Sequence, residues 1–402
     1  MANRMSSGEF IALVAMMFAT IAFSIDSMLP ALPEIGAQLS PDDINDAQLI
    51  LTSFVLGMGI GTFFVGPLSD AFGRKPVIYV GSALYILSAA VAWASSSLEL
   101  LLFARVAQGI GCAAPRVVAM AIIRDLYSGR EMARIVSIAM MIFTLVPAVA
   151  PMLGAGMIAI AGWRGIFVSF ILFSVITVIW LGLRLPESLR PENRRPLRLA
   201  LMTAAAREMF AHPTVRVSIF VQSLCLGMLF TMLTMVQPVY DVIHDSADSF
   251  PFWFGFVALM AGSASLLNAA LVIRVGMRRL VTWALGAQIA ITIGVITLNM
   301  MPLSANLNFA VFVFWQTSIF FMAGMTMGNL NAIAMEPMGH IAGMAASVIG
   351  AFSTVLAAAI AAPIGQMFDG SLYPLTTGIL VMSVAGFGLM LHMGRIENRL
   401  PA

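Results

Sequence analysis

Long apolar runs separated by short polar stretches dominate the pattern of this 402-residue chain. Each run is long enough to cross a bilayer, which takes about 20 consecutive apolar residues. Because lipid offers the backbone no hydrogen-bond partner, we predict that every run is a helix. The runs form two sets of six. They cover 10–36, 47–70, 77–94, 99–124, 133–160 and 163–184, then 213–240, 251–273, 280–301, 307–334, 341–366 and 373–393.

The polar stretch 185–212 separates the two sets. We interpret it as a cytoplasmic linker, helical from Leu197 to Phe210. It joins an N-terminal six-helix bundle, residues 1–184, to a C-terminal six-helix bundle, residues 213–402. Duplication of this kind is common in transporters.

A weak internal repeat supports this interpretation. Gly73-Arg74-Lys75 is echoed about two hundred residues later by Gly276-Met277-Arg278-Arg279, and Pro33 is echoed by Pro238. The acidic residue before the first of these motifs, Asp70, is replaced by an isoleucine in the second copy. The predicted fold class is an all-α membrane protein with twelve transmembrane helices in two pseudo-symmetric bundles.

Composition and charge agree with this fold and give it an orientation. The chain is 60% hydrophobic and 10% charged, whereas a soluble domain is about 25% charged. Most Arg and Lys residues flank one set of helix ends, and the positive-inside rule places those ends and both termini in the cytoplasm. These cations are Arg4, Arg74, Lys75, Arg130, Arg134, Arg184, Arg190, Arg194, Arg195, Arg198, Arg207, Arg274, Arg278, Arg279, Arg395 and Arg399.

Ionisable side chains inside the predicted helices are the first functional candidates, since each costs about 2.5–3.5 kcal/mol or more at bilayer depth. Asp26 lies in the first predicted helix and Arg105 in the fourth, at depths that differ by about 6 Å. A carboxyl that alternates between dry and wet surroundings can load and release a proton, and a nearby arginine can tune it. We therefore predict a proton-coupling role for Asp26 and Arg105. The alternative is a permanent structural ion pair.

A second set of side chains is predicted to hold a ligand. Arg116 follows Arg105 by about three helical turns on the same face, and we interpret it as a docking point for an anionic or zwitterionic group. The alternative is a packing cation. Methionines suit a pocket that accepts varied shapes, and neutral amides either line such a pocket or only join helices. The predicted ligand-binding residues are Arg116, Cys112, Met141, Phe143, Gln237 and Asn329.

A charged hairpin is predicted to latch one conformation. Asp70 ends the second predicted helix, Arg74 lies in the turn that follows, and Asp125 ends the fourth helix at the same membrane level. Opposite charges at one level favour an Asp–Arg–Asp cluster. Protonation or movement would release it.

The fifth predicted helix carries features of a hinge. Pro147, Pro151 and Gly154 lie within a few residues of one another. Proline removes backbone hydrogen bonds and bends a helix, and glycine lets helices approach closely. We interpret this segment as a pivot for movement of one half of the chain against the other. The alternative is close packing without motion.

Several motifs resemble those of a known family. The Gly-Pro-Leu-Ser-Asp-Ala-Phe-Gly-Arg-Lys-Pro hairpin of residues 66–76 resembles the signature between the second and third helices of the major facilitator superfamily. Residues 105–111 look like the helix-4 signature of drug:proton antiporters, and residues 150–156 like the helix-5 signature. Asp26, followed by the pairs Leu29-Pro30 and Leu32-Pro33, is similar to the helix-1 signature of the same antiporters. Residues 123–127 and 162–164 resemble the bicyclomycin and chloramphenicol resistance branch.

The resemblance implies a secondary transporter of the bacterial inner membrane that exports a small amphipathic compound, drug or metabolite, by proton-coupled alternating access. A monomer is expected, with no cofactor beyond the proton gradient, no metal and no nucleic-acid partner. The sequence has no nucleotide loop, metal-ligand cluster or nucleophile arrangement, which argues against an enzyme. Two alternatives stay open: an organic-anion or metabolite carrier of narrow specificity, and a non-transporting membrane sensor on the same fold.

Overall fold

The computed structural model describes residues 5–194 and 196–397, and Arg4, Arg195 and Arg399 of the topology prediction lie outside them. The secondary structure of these residues is helical, and they contain no β-strand. The first helices are α1 (Ser7–Asp26), α2 (Leu32–Leu39), α3 (Leu49–Phe72), α4 (Arg74–Ala94), α5 (Leu98–Leu126), α6 (Gly129–Ala161) and α7 (Arg164–Arg184). They are followed by α8 (Leu199–Ala211), α9 (Pro213–Pro238), α10 (Phe250–Val275), α11 (Met277–Asn299), α12 (Ala305–Met335), α13 (Ala342–Gln366) and α14 (Tyr373–Glu397).

The predicted number of membrane-length helices is present in the described ranges. Eleven continuous helical stretches there are long and apolar enough to cross a membrane. One of them, Ala305–Gln366, contains both α12 and α13, which meet at a kink where Met338 has non-helical φ and ψ. The stretch therefore supplies two of the twelve predicted helices.

The chain divides into two compact units, Met1–Leu199 and Ala200–Ala402. The boundary falls within the stretch 185–212 that was interpreted as a linker. Apart from its first residue, Leu199, helix α8 lies in the second unit, and it begins two residues later than the helix predicted in this stretch. The residues before the boundary stay with the first unit, which they contact through Glu187.

The N-terminal unit differs from prediction in its first helix. The apolar run 10–36 is broken after Asp26, where α1 ends; a 3₁₀ turn, Leu29–Ala31, precedes α2. The reason is local, because Pro30 has no N–H with which to continue the helical hydrogen bonds. The break places the Asp26 carboxyl at the end of a helix rather than within one.

The C-terminal unit is organised around α9, which packs against α12, α13 and α14. Its side chains fill the interior of the unit, and Met228, Met232 and Met235 are fully buried. Beyond Pro238 the helix widens into a single π turn, Val239–Ile243. Tyr240 in that turn lies edge-on to Phe250 and Phe312 and donates a 3.0 Å hydrogen bond to the side-chain oxygen of Gln316.

Candidate functional site

Asp26 is a buried carboxyl without a partner. Its exposed fraction is 5%, and it makes no hydrogen bond or ion pair with any residue in the described ranges. The neighbouring hydroxyls do not serve it, because Ser24 donates to the Thr20 carbonyl at 2.6 Å and Ser27 to the Phe23 carbonyl at 2.5 Å. A carboxylate in this position would be both unpaired and desolvated.

Arg105 is fully buried, and its partners are not the ones expected. Its guanidinium donates to the carbonyls of Ser24 at 3.0 Å and Ile50 at 3.3 Å, and to the Gln108 side-chain oxygen at 2.7 Å. It also lies 4.3 Å from the centre of the Phe54 ring. The predicted contact with Asp26 is therefore absent in this conformation, because the donors are already used on backbone carbonyls of α1 and α3. Arg105 instead ties α5 to the end of α1.

The predicted ligand residues of the N-terminal unit lie in three different environments. Arg116 is exposed and has no hydrogen bond or ion pair within the described residues. Met141 is 58% exposed, whereas Phe143 packs partly buried against the apolar core of the unit. The Cys112 thiol is fully buried in this conformation, so its ligand-binding role stays a prediction.

Helix α9 carries four buried polar atoms that have no hydrogen-bond partner among the described residues. They are the hydroxyls of Ser218 and Thr231 and the amide oxygens of Gln222 and Gln237. Of these, Gln237 was predicted to bind ligand and Ser218 was missed, because a single serine in an apolar run gives no signal. Buried polar atoms are nearly always hydrogen-bonded in native proteins, so unpaired atoms of this kind are typical of positions that meet water or a ligand.

Asn329 has a different environment. Its amide donates to the side-chain oxygen of Asn268 at 2.7 Å and to the Met325 carbonyl at 2.9 Å, and the residue is 3% exposed. The amide is satisfied by the contact between α10 and α12. Its geometry therefore fits the alternative in which amides join helices.

The charged hairpin forms the expected cluster. Arg74 is 5% exposed and contacts Asp125 through Nε at 2.8 Å and Nη2 at 3.3 Å, while Nη1 contacts Asp70 at 2.5 Å. The connection between α3 and α4 is one residue, Gly73, with φ +105°, a value that L side chains rarely adopt. Arg74 is thus the first residue of α4, and the turn holds its guanidinium between the two carboxylates.

Glu187 completes the hairpin, although no sequence pattern predicts a role for it. One carboxylate oxygen accepts from the backbone N–H of Arg74 and the other from that of Lys75, both at 3.0 Å. A carboxylate on the first amides of a helix is favoured by the helix dipole. Lys75 in turn donates to the carbonyls of Gly182 and Leu185 at the end of α7. A lone glutamate in an arginine-rich stretch resembles a solvated residue, which is why no signal pointed to it.

The C-terminal unit repeats the turn without counterparts of Asp70 and Arg74. Gly276 has φ +88° and ψ +148° and joins α10 to α11 as Gly73 joins α3 to α4. Met277 stands where the first copy has Arg74, and Ile273, which is 90% exposed, stands where it has Asp70. The backbone of the internal repeat is therefore present in both units, whereas the positions of Asp70 and Arg74 are uncharged in the second.

The predicted hinge lies in one uninterrupted helix. Pro147 and Pro151 are both inside α6, which runs from Gly129 to Ala161. Gly154 lies against α1, since a Cβ added there would be 2.1 Å from the Ser27 carbonyl oxygen. The hinge role stays a prediction, but the close approach connects this segment with the break beside Asp26.

Twelve membrane-length helices in the described ranges, with a charged hairpin on a one-residue turn, define a multi-pass membrane protein. The chain belongs to the Major Facilitator Superfamily, whose model matches residues 12–362. It is therefore a transporter and not an enzyme.

Within this family, the chain is similar to proteins named for drug resistance. The chain is 30% identical over 353 residues to a bicyclomycin resistance protein homolog of Haemophilus influenzae, covering 86% of each chain. It is 36% identical over 147 residues to a chloramphenicol resistance protein of Pseudomonas aeruginosa, covering 36% of this chain and 35% of the relative. A solved D-xylose–proton symporter shares the fold, with a TM-score of 0.73 at 15% identity over 95% of this chain and 97% of the symporter.

Proposed function

We propose that this transporter exports a small amphipathic organic compound by alternating access, driven by protons that Asp26 carries. The observation that supports this most directly is the buried carboxyl of Asp26, which has no partner in the described residues. An unpaired charge at this depth is expensive, whereas a neutral carboxyl is much less so. Asp26 therefore favours the protonated form here and must release the proton when its surroundings become wet.

Arg105 acts in this proposal as a positioning residue. By bonding the Ser24 carbonyl it stabilises the last turn of α1, at whose end Asp26 stands. A cation near carbonyls at a helix C-terminus is favourable. Arg105 thus sets where the proton is carried without pairing with the carboxylate in this conformation.

Neutral groups on α9 are proposed to contact the substrate. The buried, unpaired amide oxygens of Gln222 and Gln237 can accept hydrogen bonds from hydroxyl or amide groups of an uncharged compound. The named relatives are proteins of bicyclomycin and chloramphenicol resistance, which supports a drug-like or metabolite substrate. We place the protein in a bacterial inner membrane, as a monomer with cytoplasmic termini. The cluster of Asp70, Arg74 and Asp125 serves as the latch of one transport state.

The test is transport by purified protein in liposomes with an imposed pH gradient, with chloramphenicol as the trial substrate. Wild type should accumulate it against its gradient. Asp26→Asn should lose accumulation but keep gradient-free exchange, because only the proton step is removed. Asp42→Asn, which changes an exposed carboxylate in the loop after α2, is the matched control. Full accumulation by Asp26→Asn would exclude this residue as the proton carrier.

A second candidate function, an organic-anion carrier, is favoured by Arg116. This exposed guanidinium in a membrane-spanning helix has no ion-pair partner in the described residues, and an unpaired cation of this kind attracts an anionic group. Uptake of benzoate and chloramphenicol by wild type and Arg116→Gln separates the two functions. Loss confined to benzoate supports the anion carrier, and equal transport of both compounds by the variant eliminates it. Arg130→Gln, at an exposed arginine near the start of α6, controls for net charge.

A further inference from the structure

A cavity of about 360 Å³ lies at one end of the C-terminal unit. Its wall is formed by the residues after the π turn of α9, the junction of α11 with α12, and the beginning of α14. Because α11 runs from the Gly276 turn to this cavity, the cavity lies at the end of the unit opposite to that turn. We call it the His244 pocket. Asp26, Arg105 and Arg116 are not part of it.

The wall of the His244 pocket is uncharged. Among the described residues that line it, none is Asp, Glu, Lys or Arg. Burial lowers the pKa of His244, so its imidazole is neutral at neutral pH. Ser371, another wall residue, donates a hydrogen bond from its hydroxyl to the Asp369 carboxylate. This negative charge next to the wall disfavours anionic ligands. The electrostatics thus favour an uncharged ligand.

Two polar atoms at this pocket lack partners. His244 Nε2 and Asn308 Oδ1 are both buried and make no hydrogen bond in the described part of the chain. An unsatisfied buried polar group costs about 1–3 kcal/mol. His244 is held by ring contacts with Phe309 and Phe312 at 5.4 and 5.2 Å between centroids, so its ring cannot simply turn into solvent. A hydroxyl or amide of a ligand can supply what both atoms lack.

The backbone beside the pocket is also irregular. The π turn Val239–Ile243 leads directly to His244, and π turns are frequent at functional sites. The next residue, Asp245, has φ +48°, which is uncommon for a residue other than glycine. Strained backbone of this kind clusters at ligand-binding sites. The irregular backbone is independent of the unpaired atoms, and it also indicates a ligand-binding site at the His244 pocket.

We propose that the His244 pocket binds one uncharged amphipathic molecule that has an apolar ring and hydroxyl or amide groups, anchored by His244 and Asn308. The exposed side chains of Met300 and Tyr373, 69% and 60% accessible, offer the ring its apolar contacts. This site goes beyond the proposed transport function, because one unit forms it entirely and it contains no residue assigned to proton coupling.

Ligand protection of an introduced cysteine tests the proposal. Met300→Cys places a thiol in the wall, and both native cysteines, Cys112 and Cys225, are fully buried and unreactive. The rate of N-ethylmaleimide labelling of detergent-purified protein is measured by intact mass, with chloramphenicol as an uncharged probe. Tetraphenylphosphonium and naphthalene sulfonate serve as charged comparators. Asn306→Cys, exposed at the start of α12 but outside the wall, is the control.

The expected result is slower labelling of Met300→Cys with chloramphenicol alone, and no protection of Asn306→Cys. Adding Asn308→Leu, or His244→Phe, which keeps an aromatic ring against Phe312, should raise the half-protecting concentration about tenfold, or ~1.4 kcal/mol. The proposal is overturned if chloramphenicol leaves labelling unchanged, if the charged probes protect equally well, or if both anchor variants keep the wild-type midpoint. The assay uses no ion gradient, so its outcome is independent of the transport test on Asp26.

Discussion

The close contact between α6 and α1 at Gly154 gives a prediction with a matched control two residues away. In Gly154→Ala the new Cβ would be 2.1 Å from the Ser27 carbonyl oxygen, whereas Gly156→Ala meets nothing within 4 Å. Ordinary Cβ contacts begin at 3.4 Å, so the two backbones must separate by about 1.3 Å. Neither backbone can yield easily, because Gly154 lies inside α6 and Ser27, the residue after α1, is fully buried.

The expected energies follow from these distances. Overpacking costs about 1–3 kcal/mol, and either alanine regains about 0.5–1 kcal/mol of helix propensity. Gly154→Ala should therefore be destabilised by up to about 2.5 kcal/mol. At about 2–4 °C per kcal/mol for a unit of this size, its midpoint should fall by up to about 10 °C. Gly156→Ala should be as stable as wild type or slightly more so.

Thermal unfolding can be followed with a thiol-reactive dye, because Cys112 and Cys225 are fully buried until the protein opens. Transport in liposomes is measured in parallel. Since Ser27 is next to Asp26, Gly154→Ala should also reduce proton-driven accumulation, while Gly156→Ala should not. The reasoning is refuted if the two variants have the same midpoint and the same transport.

Two further predictions concern the hairpin. Asp125→Asn should weaken the latch more than Asp70→Asn, because Asp125 accepts from two Arg74 nitrogens and its side chain is 19% exposed against 47% for Asp70; equal thermal midpoints would contradict this order. Glu187→Gln should speed hydrogen exchange of the two backbone amides that it caps about tenfold, since it loses charge-assisted bonds worth ~1.4 kcal/mol. Glu192→Gln, an exposed linker change, is the control, and identical exchange in both variants would remove Glu187 as a cap.

The helices could be predicted from the sequence because each is an apolar run with polar ends. The run 99–124, for example, is the helix Leu98–Leu126. The break after Asp26 was not predicted, although Pro30 and Pro33 were visible, since hydropathy is continuous across it. Helix breaks inside an apolar run depend on hydrogen bonds that hydropathy does not record.

Contacts in the candidate site could be predicted from the sequence only where both side chains are charged. Asp70, Arg74 and Asp125 were identified because opposite charges fell at one membrane level. The partners of Arg105 are backbone carbonyls, which every residue carries, so no sequence pattern could point to them. The burial of Cys112 was equally hidden, because its position on α5 does not tell which neighbour covers it.

The one-residue connection at Gly73 has a mechanical consequence. A one-residue linker keeps the adjoining ends of α3 and α4 together, so a displacement of one end must displace the other. Hydrogen bonds of Glu187 and Lys75 connect the same turn to the end of α7 and the residues after it. Inserting two or three glycines at this turn would let α3 and α4 move separately while keeping every charged side chain. Such a variant would distinguish the mechanical role of the hairpin from its electrostatic role.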